Sequence, residues 1–279
     1  MSAAVRKLRK REKKMSLREA WREHKSSLVA YIVFRSLVIV ALVLQVLLRN
    51  FENVFMCAMA LVLLTVPMFI EKKISIEIPN ALEIIIYCFI FASVILGEIN
   101  SFYQRVPGWD TMLHTLNGFL CAGVGLSLVN LLNNRDNLQF KLSPFYVALA
   151  AFCFSMTIGV LWEFYEFGMD HFLHTDMQKD TIINAVYTVA LDSTKSNKVV
   201  ALKNIKDVAI NGKDLGLGGY LDIGLIDTMK DMFVNFIGAV TFSIFGYFYA
   251  KHEEKYKFLN GFIPYSTSKD VKHVPDGVK

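Results

Sequence analysis

The chain has 279 residues, 54% of them hydrophobic and 20% charged, with a net charge of +5. The charges fall in blocks, and the apolar runs between them reach about twenty residues, enough to cross a hydrocarbon core of about 30 Å. That pattern excludes a soluble globule and predicts an all-α, polytopic integral membrane helical bundle.

A basic segment comes first, with ten Lys/Arg against three Glu in residues 1–27. It reads as a cytoplasmic topology determinant that touches anionic headgroups, not as a nucleic-acid arm or a cleaved signal peptide. The membrane domain then runs over 28–250. Its six expected spans are 28–48, 53–70, 81–99, 111–132, 144–168 and 228–250. "RNFE" alone separates the first two, which predicts a tight helical hairpin. Pro67 and Pro144 sit near helix ends, so no span is expected to break at a Gly or Pro in its core. The tail 251–279 adds six Lys against four acids. Lys72, Lys73, Arg135 and Lys141 then mark inner loops. Both termini are expected in the cytoplasm, with the protein multi-pass in the cell membrane.

The large non-spanning insert, 169–227, is expected outside the cell. Its stretch "NKVVALKNIKDVAING" alternates in a way that predicts a small hairpin. "GLGGYLDIG" leads back to the membrane, with glycines for tight turning and no P-loop signature. Cys57, Cys88, Cys121 and Cys153 fall in four different spans without a CxxC pair. They read as small buried packing residues and not as a disulfide framework.

Three helix ends carry the chemistry. "GWDTMLHTLNGF" (108–119) and "LIDTMKDMFVNF" (225–236) each begin with Asp-Thr-Met and place an ionisable residue four positions after the Asp. "LWEFYEFGMD" closes the fifth span. By the expected topology Asp110 and His114, Glu163 and Glu166, and Asp227 and Asp231 meet at the outer boundary. His114, Glu163 and Asp231 lie about one turn deeper, roughly 6 Å at 1.5 Å per residue. Small and polar residues continue each stripe at four-residue steps: Gly118 and Ala122, Ser155 and Gly159, Asn235 and Ala239. Such stripes let membrane helices approach closely, and Asn117 and Asn235 read as interhelical hydrogen bonders.

An ionised acid at a membrane helix centre costs about 2.5–3.5 kcal/mol. Several on facing stripes need a divalent cation, shared protons or partner cations, and Lys230 and Arg105 are the nearest basic residues in sequence. The blander readings are helix capping for Asp110 and Asp227, an interfacial helix end for Glu166, and a surface loop for Asp170, His171 and His174. His with carboxylates suits zinc, manganese or iron, and carboxylates alone suit magnesium or calcium. The spacing is not that of a zinc-protease helix, and no Ser-His-Asp arrangement is evident.

"WDTMLHTLNGFL", "GVLWEFYEF" and "LDIGLIDTMKDMFVNFIGA" together resemble the YjdF-like family of uncharacterised bacterial membrane proteins, distantly akin to VanZ-like proteins. The resemblance covers roughly 90–245, with a longer loop before the last block here. It implies the polytopic architecture and the importance of the three blocks, and it brings no activity. Three functions stay open. One is an enzyme with a divalent metal (Zn, Mn or Mg) held by Asp110, His114, Glu163, Glu166, Asp227 and Asp231, with Glu163 and Asp231 catalytic, acting on a lipid-linked or envelope substrate. The second is a proton- or cation-coupled transporter. The third is a structural or accessory protein. The expected partner is the lipid bilayer, without nucleic acid.

Overall fold

The computed structural model describes residues 25–74, 76–133 and 141–266. The basic block up to residue 24, Arg135 and the tail beyond 266 lie outside the described residues. Helix α1 (Lys25–Leu47) is followed by α2 (Phe51–Leu63), α3 (Val66–Ile74) and strand β1 (Ile76–Glu77). Next come α4 (Asn80–Ile90), which continues as a π-helical stretch (Phe91–Ile99), the short α5 (Phe102–Arg105), α6 (Trp109–Asn133) and α7 (Pro144–Leu173). Helix α8 (Leu225–Lys251) precedes two 3-10 turns and β8 (Tyr265–Ser266). Among the described residues, six helical segments are long and apolar enough to cross a membrane: 26–47, 51–73, 80–99, 109–130, 144–173 and 225–251. The chain is a multi-pass helical membrane protein. Successive crossings alternate sides, so the 48–50, 100–108 and 174–224 connections share one face, here called the insert side. β1 pairs antiparallel with β8, which ties the 76–79 connection to the tail on the other face.

The spans differ from the sequence expectation in three places. The second is broken. Pro67 has no N–H to donate to the Leu63 carbonyl, so α2 stops at Leu63 and α3 restarts at Val66. The third turns π-helical after Ile90, and no residue pattern announced it. The fifth runs to Leu173, so the insert begins near residue 174. There the structure pairs β4 (Val200–Lys203) with β3 (Ala185–Thr188). A second, tiny hairpin joins β5 (Ala209–Ile210) to β6 (Lys213–Asp214), and β2 (Ile182–Ile183) joins β7 (Tyr220–Leu221). The expected hairpin stretch is therefore split between two partners. Asn211 and Gly212, at φ 53° and 82°, form the turn between β5 and β6, as hairpin turns of this class require.

The helices form two packed groups. Helices α1, α2 and α4 with its π-helical extension enclose Val38, Cys57, Ala60, Leu64, Tyr87 and Val94. Helices α6, α7 and α8 enclose Ala122, Leu126, Val147, Ala151 and Phe242, with Leu259 and Ile263 tucked beneath from the tail. Ile78, Leu82 and Leu120 join the groups. Small residues bring α6 and α8 together: Gly118 lies against the Asn235 carbonyl and Gly238 against the Thr115 carbonyl, so a side chain at either would strike backbone. This is the close approach by which membrane helices gain dispersion contact. Of the four cysteines, only Cys57 is buried; Cys121 is half-buried, while Cys88 and Cys153 are exposed. The buried-packing expectation therefore fails for the last two.

Candidate functional site

The α6–α7–α8 group carries a polar seam at its insert-side end. One helical turn puts Asp110 and His114 on the same face of α6, with Asp110 Oδ1 3.4 Å from His114 Nε2. Asp231 of α8 brings Oδ2 to 3.8 Å from the same nitrogen. Glu163 of α7 approaches the other ring nitrogen, Nδ1, at 3.9 Å. The imidazole is thus bracketed by carboxylates from three helices. His114, Glu163 and Asp231 are buried, Asp231 to 1% exposure. Asp110 Oδ2, Glu163 Oε2 and Asp231 Oδ1 are buried and have no hydrogen-bond partner. The nearest cation is Lys230, whose Nζ is 4.0 Å from Asp110 Oδ2. Buried carboxylates without donors are unfavourable unless a cation or protons offset them.

One ligand atom each from Asp110, His114 and Asp231 lie within 4.8 Å of one another. Two ligands at about 2.1 Å from one ion stand at most about 4.2 Å apart, so a small inward movement of side chains would close this set on a divalent cation. Glu163 would then act on His114 from behind, as the carboxylate partners of metal-bound histidines do.

Glu166 and Asp227 line a neighbouring cavity, each with one oxygen engaged. Glu166 Oε1 accepts from the Trp162 indole at 2.8 Å. Asp227 Oδ2 accepts the Lys179 N–H at 2.8 Å. Asp227 is also not the cap of α8. Gly224, at φ 84°, occupies that position, and Asp222 Oδ2 accepts the Ile226 N–H at 2.7 Å. Asp170, which reads in sequence as surface loop, accepts from the Met177 and Gln178 N–H groups at 2.6 and 2.8 Å. Together Asp170, Asp222 and Asp227 bind the segment 175–181 across the ends of α7 and α8 as a strap over the polar seam.

Beneath the strap lies a cavity of about 120 Å³ lined by Glu98, Tyr103, Asp110, Glu166, Lys179 and Asp231, among others. A smaller cavity of about 50 Å³ adjoins His114, Asn117 and Trp162. Deeper still, Asn117 Nδ2 donates to Asn235 Oδ1 at 3.1 Å, the interhelical bond expected of these asparagines, and Ser155 Oγ donates to the Gly118 carbonyl at 2.7 Å. Below them Phe119 and Phe242 meet edge to face.

Three cavity residues escaped the sequence reading. Glu98 had a usable signal, being an acid near the end of an apolar run. Tyr103 sits on α5; burial, then the Glu98 carboxylate, raise its hydroxyl well above the usual range. Lys179 had no signal, because only the strap brings it there.

A family described as "Predicted membrane protein (DUF2238)" matches residues 30–252. All three blocks that carried the resemblance fall inside that range, and the match agrees with it at the level of an uncharacterised membrane-protein family. A Thermotoga maritima protein described as "Uncharacterized protein" is 26% identical over 125 residues. That alignment covers 43% of this chain and 62% of the relative, less than two thirds of the relative's length. No solved structure matches. The chain belongs to the DUF2238 family of predicted membrane proteins.

Proposed function

We propose that this protein is a membrane-embedded, divalent-cation-dependent enzyme acting at the insert side, taken as the extracytoplasmic face, on a lipid-linked or envelope substrate. The observation that carries the reading is the Asp110, His114 and Asp231 cluster, drawn from two helices and left with unpartnered carboxylate oxygens inside the bundle. These three residues would hold the ion. A bound dication supplies Lewis acidity and a lowered pKa for water.

The chain's own groups do the rest. Glu163 orients the His114 ring through Nδ1, and its free Oε2 is a proton acceptor. Asp231 would hold the ion with one oxygen, and its unpartnered Oδ1 would be left to accept a proton. Trp162 pins Glu166 at the cavity wall. Met177 and Lys179 of the strap form part of the cavity wall. The transporter alternative calls for a continuous polar route. Below Asn117 and Asn235, however, the space is packed by Phe119, Phe242, Ala122 and Leu126, which favours a site reached from one side.

The test is metal analysis of detergent-purified protein by inductively coupled plasma mass spectrometry. The wild type should carry near-stoichiometric metal that both His114→Ala and Asp231→Asn lose. Absence of metal from all three after loading with zinc, manganese and magnesium would overturn the proposal and favour a proton relay or a structural polar cluster.

A further inference from the structure

Five carboxylates line the insert-side cavity, from Glu98, Asp110, Glu166, Asp227 and Asp231, against two ammonium groups, from Lys179 and Lys230. Both lysines already face carboxylates, Lys230 that of Asp110 at 4.0 Å and Lys179 that of Asp176 at 3.8 Å. The lining thus carries three more carboxyl groups than ammonium groups and offers a positive group a surplus of oxygen acceptors. Asp231 adds an unpartnered oxygen on a side chain that is 1% exposed. The Glu98 carbonyl accepts the Ser101 N–H at 3.2 Å, while its carboxylate, which the Lys179 ammonium attracts, makes no side-chain hydrogen bond or ion pair among the described residues. Tyr103 and Trp109 also line it, and aromatic faces attract ammonium groups.

The size and setting narrow the ligand. About 120 Å³ is well below the roughly 300–1,000 Å³ that encloses a whole drug-sized molecule, so the cavity takes a headgroup while the remainder stays outside. Phe164 and Phe167 on α7 and Met229 and Phe233 on α8, within a few residues of the lining acids Glu166 and Asp231, are exposed and offer an apolar surface suited to acyl chains. We infer that this cavity binds the ammonium end of an amine-bearing phospholipid headgroup, with Glu98 as its principal counter-charge. The inference deepens the proposed function and rests on it only for the phosphate end, which a cation on Asp110, His114 and Asp231 would hold.

The experiment titrates the full-length protein in detergent with dioctanoyl phosphatidylethanolamine, dioctanoyl phosphatidylglycerol and free O-phosphoethanolamine, by isothermal calorimetry. Both lipids carry a phosphate, so their comparison isolates the ammonium. The wild type should prefer the ethanolamine lipid by about tenfold, the scale of one hydrogen bond to a charged group. Glu98→Gln should erase that preference with metal content unchanged, and Glu98→Lys should reverse it. Equal affinity of the wild type for both lipids would overturn the inference without recourse to any variant. So would a preference that survives Glu98→Gln. Free O-phosphoethanolamine binding as tightly as the lipid would overturn the lipid assignment. His114→Ala keeps Glu98 in place, so a metal-free protein that still prefers ethanolamine separates failure of the metal reading from failure of this one.

Discussion

Asp192 and Asp231 are the same side chain under opposite conditions. Asp192, in the exposed insert, accepts from the Thr194, Ser196 and Lys198 N–H groups at 2.9–3.0 Å and from the Thr194 hydroxyl at 2.6 Å. Its carboxylate is saturated with donors and shapes a turn. Asp231, inside the bundle, has one oxygen 3.8 Å from an imidazole and the other without a partner. Water was available to Asp192, and the protein still satisfied it completely. Asp231 has little access to water and is left wanting. The contrast separates an acid whose oxygens the chain satisfies from one that it leaves with an oxygen unpartnered.

The largest effect should come from breaking the helix contact that creates the buried condition. Gly238→Val would drive a side chain into the Thr115 carbonyl of α6 and should cost about 3 kcal/mol or more. Fluorescence-detected gel filtration should show loss of the monodisperse peak. Gly168→Ala is the control, since nothing lies near an added methyl there, and it should leave the peak unchanged.

Next in size is the response to metal. At a hundredfold excess over Kd, a ligand that binds only the folded state stabilises it by about 2.7 kcal/mol. The wild type should show that gain in a thermal melt with its preferred ion, and Asp231→Asn should not. In chelator the order should invert or vanish, because the substitution removes a buried charge that nothing offsets. A variant less stable than wild type in chelator would make Asp231 a structural residue.

Trp162→Phe removes one donor to the buried Glu166 and should cost about 2 kcal/mol, read as a lower unfolding midpoint with metal content retained. The smallest effect belongs to the insert. Hydrogen bonds, first from the Thr194 hydroxyl and then from the Lys198 N–H, hold the Asp192 carboxyl down to about 2. The ordinary value is about 3.9. A depressed folded-state pKa contributes stability above the unfolded value and loses it as pH falls through the folded one. Exchange protection of the Thr194, Ser196 and Lys198 amides should therefore hold at pH 5 and collapse near pH 2. The α6–α8 amides should show no matching change.

How much of this was legible depends on the range of the cause. His114 with Gly118, Glu163 with Gly159, and Asp231 with Asn235 sit at helical spacing, so each stripe could be read from its own segment. Membrane alternation then predicted that the stripes meet at one level. Glu98 was legible in principle and passed over. The other departures come from contacts distant in sequence. Asp227 serves the backbone of Lys179, 48 residues earlier, while Asp222 takes over at the start of α8. The split hairpin likewise reflects β3 reaching β4 across an intervening turn. The π-helical stretch after Ile90 has no local code that distinguishes it from a continuing α-helix.

What the sequence determined by itself is the membrane architecture and the polar face of each helix. Both follow from the cost of exposing polar groups to hydrocarbon, a cost paid residue by residue. Only the tertiary structure decided which acids share the imidazole, which are consumed by the strap, and which oxygens stay unpartnered. Those outcomes depend on how close α6 and α8 can come at Gly118 and Gly238, and on where a loop of some fifty residues lays its backbone N–H groups.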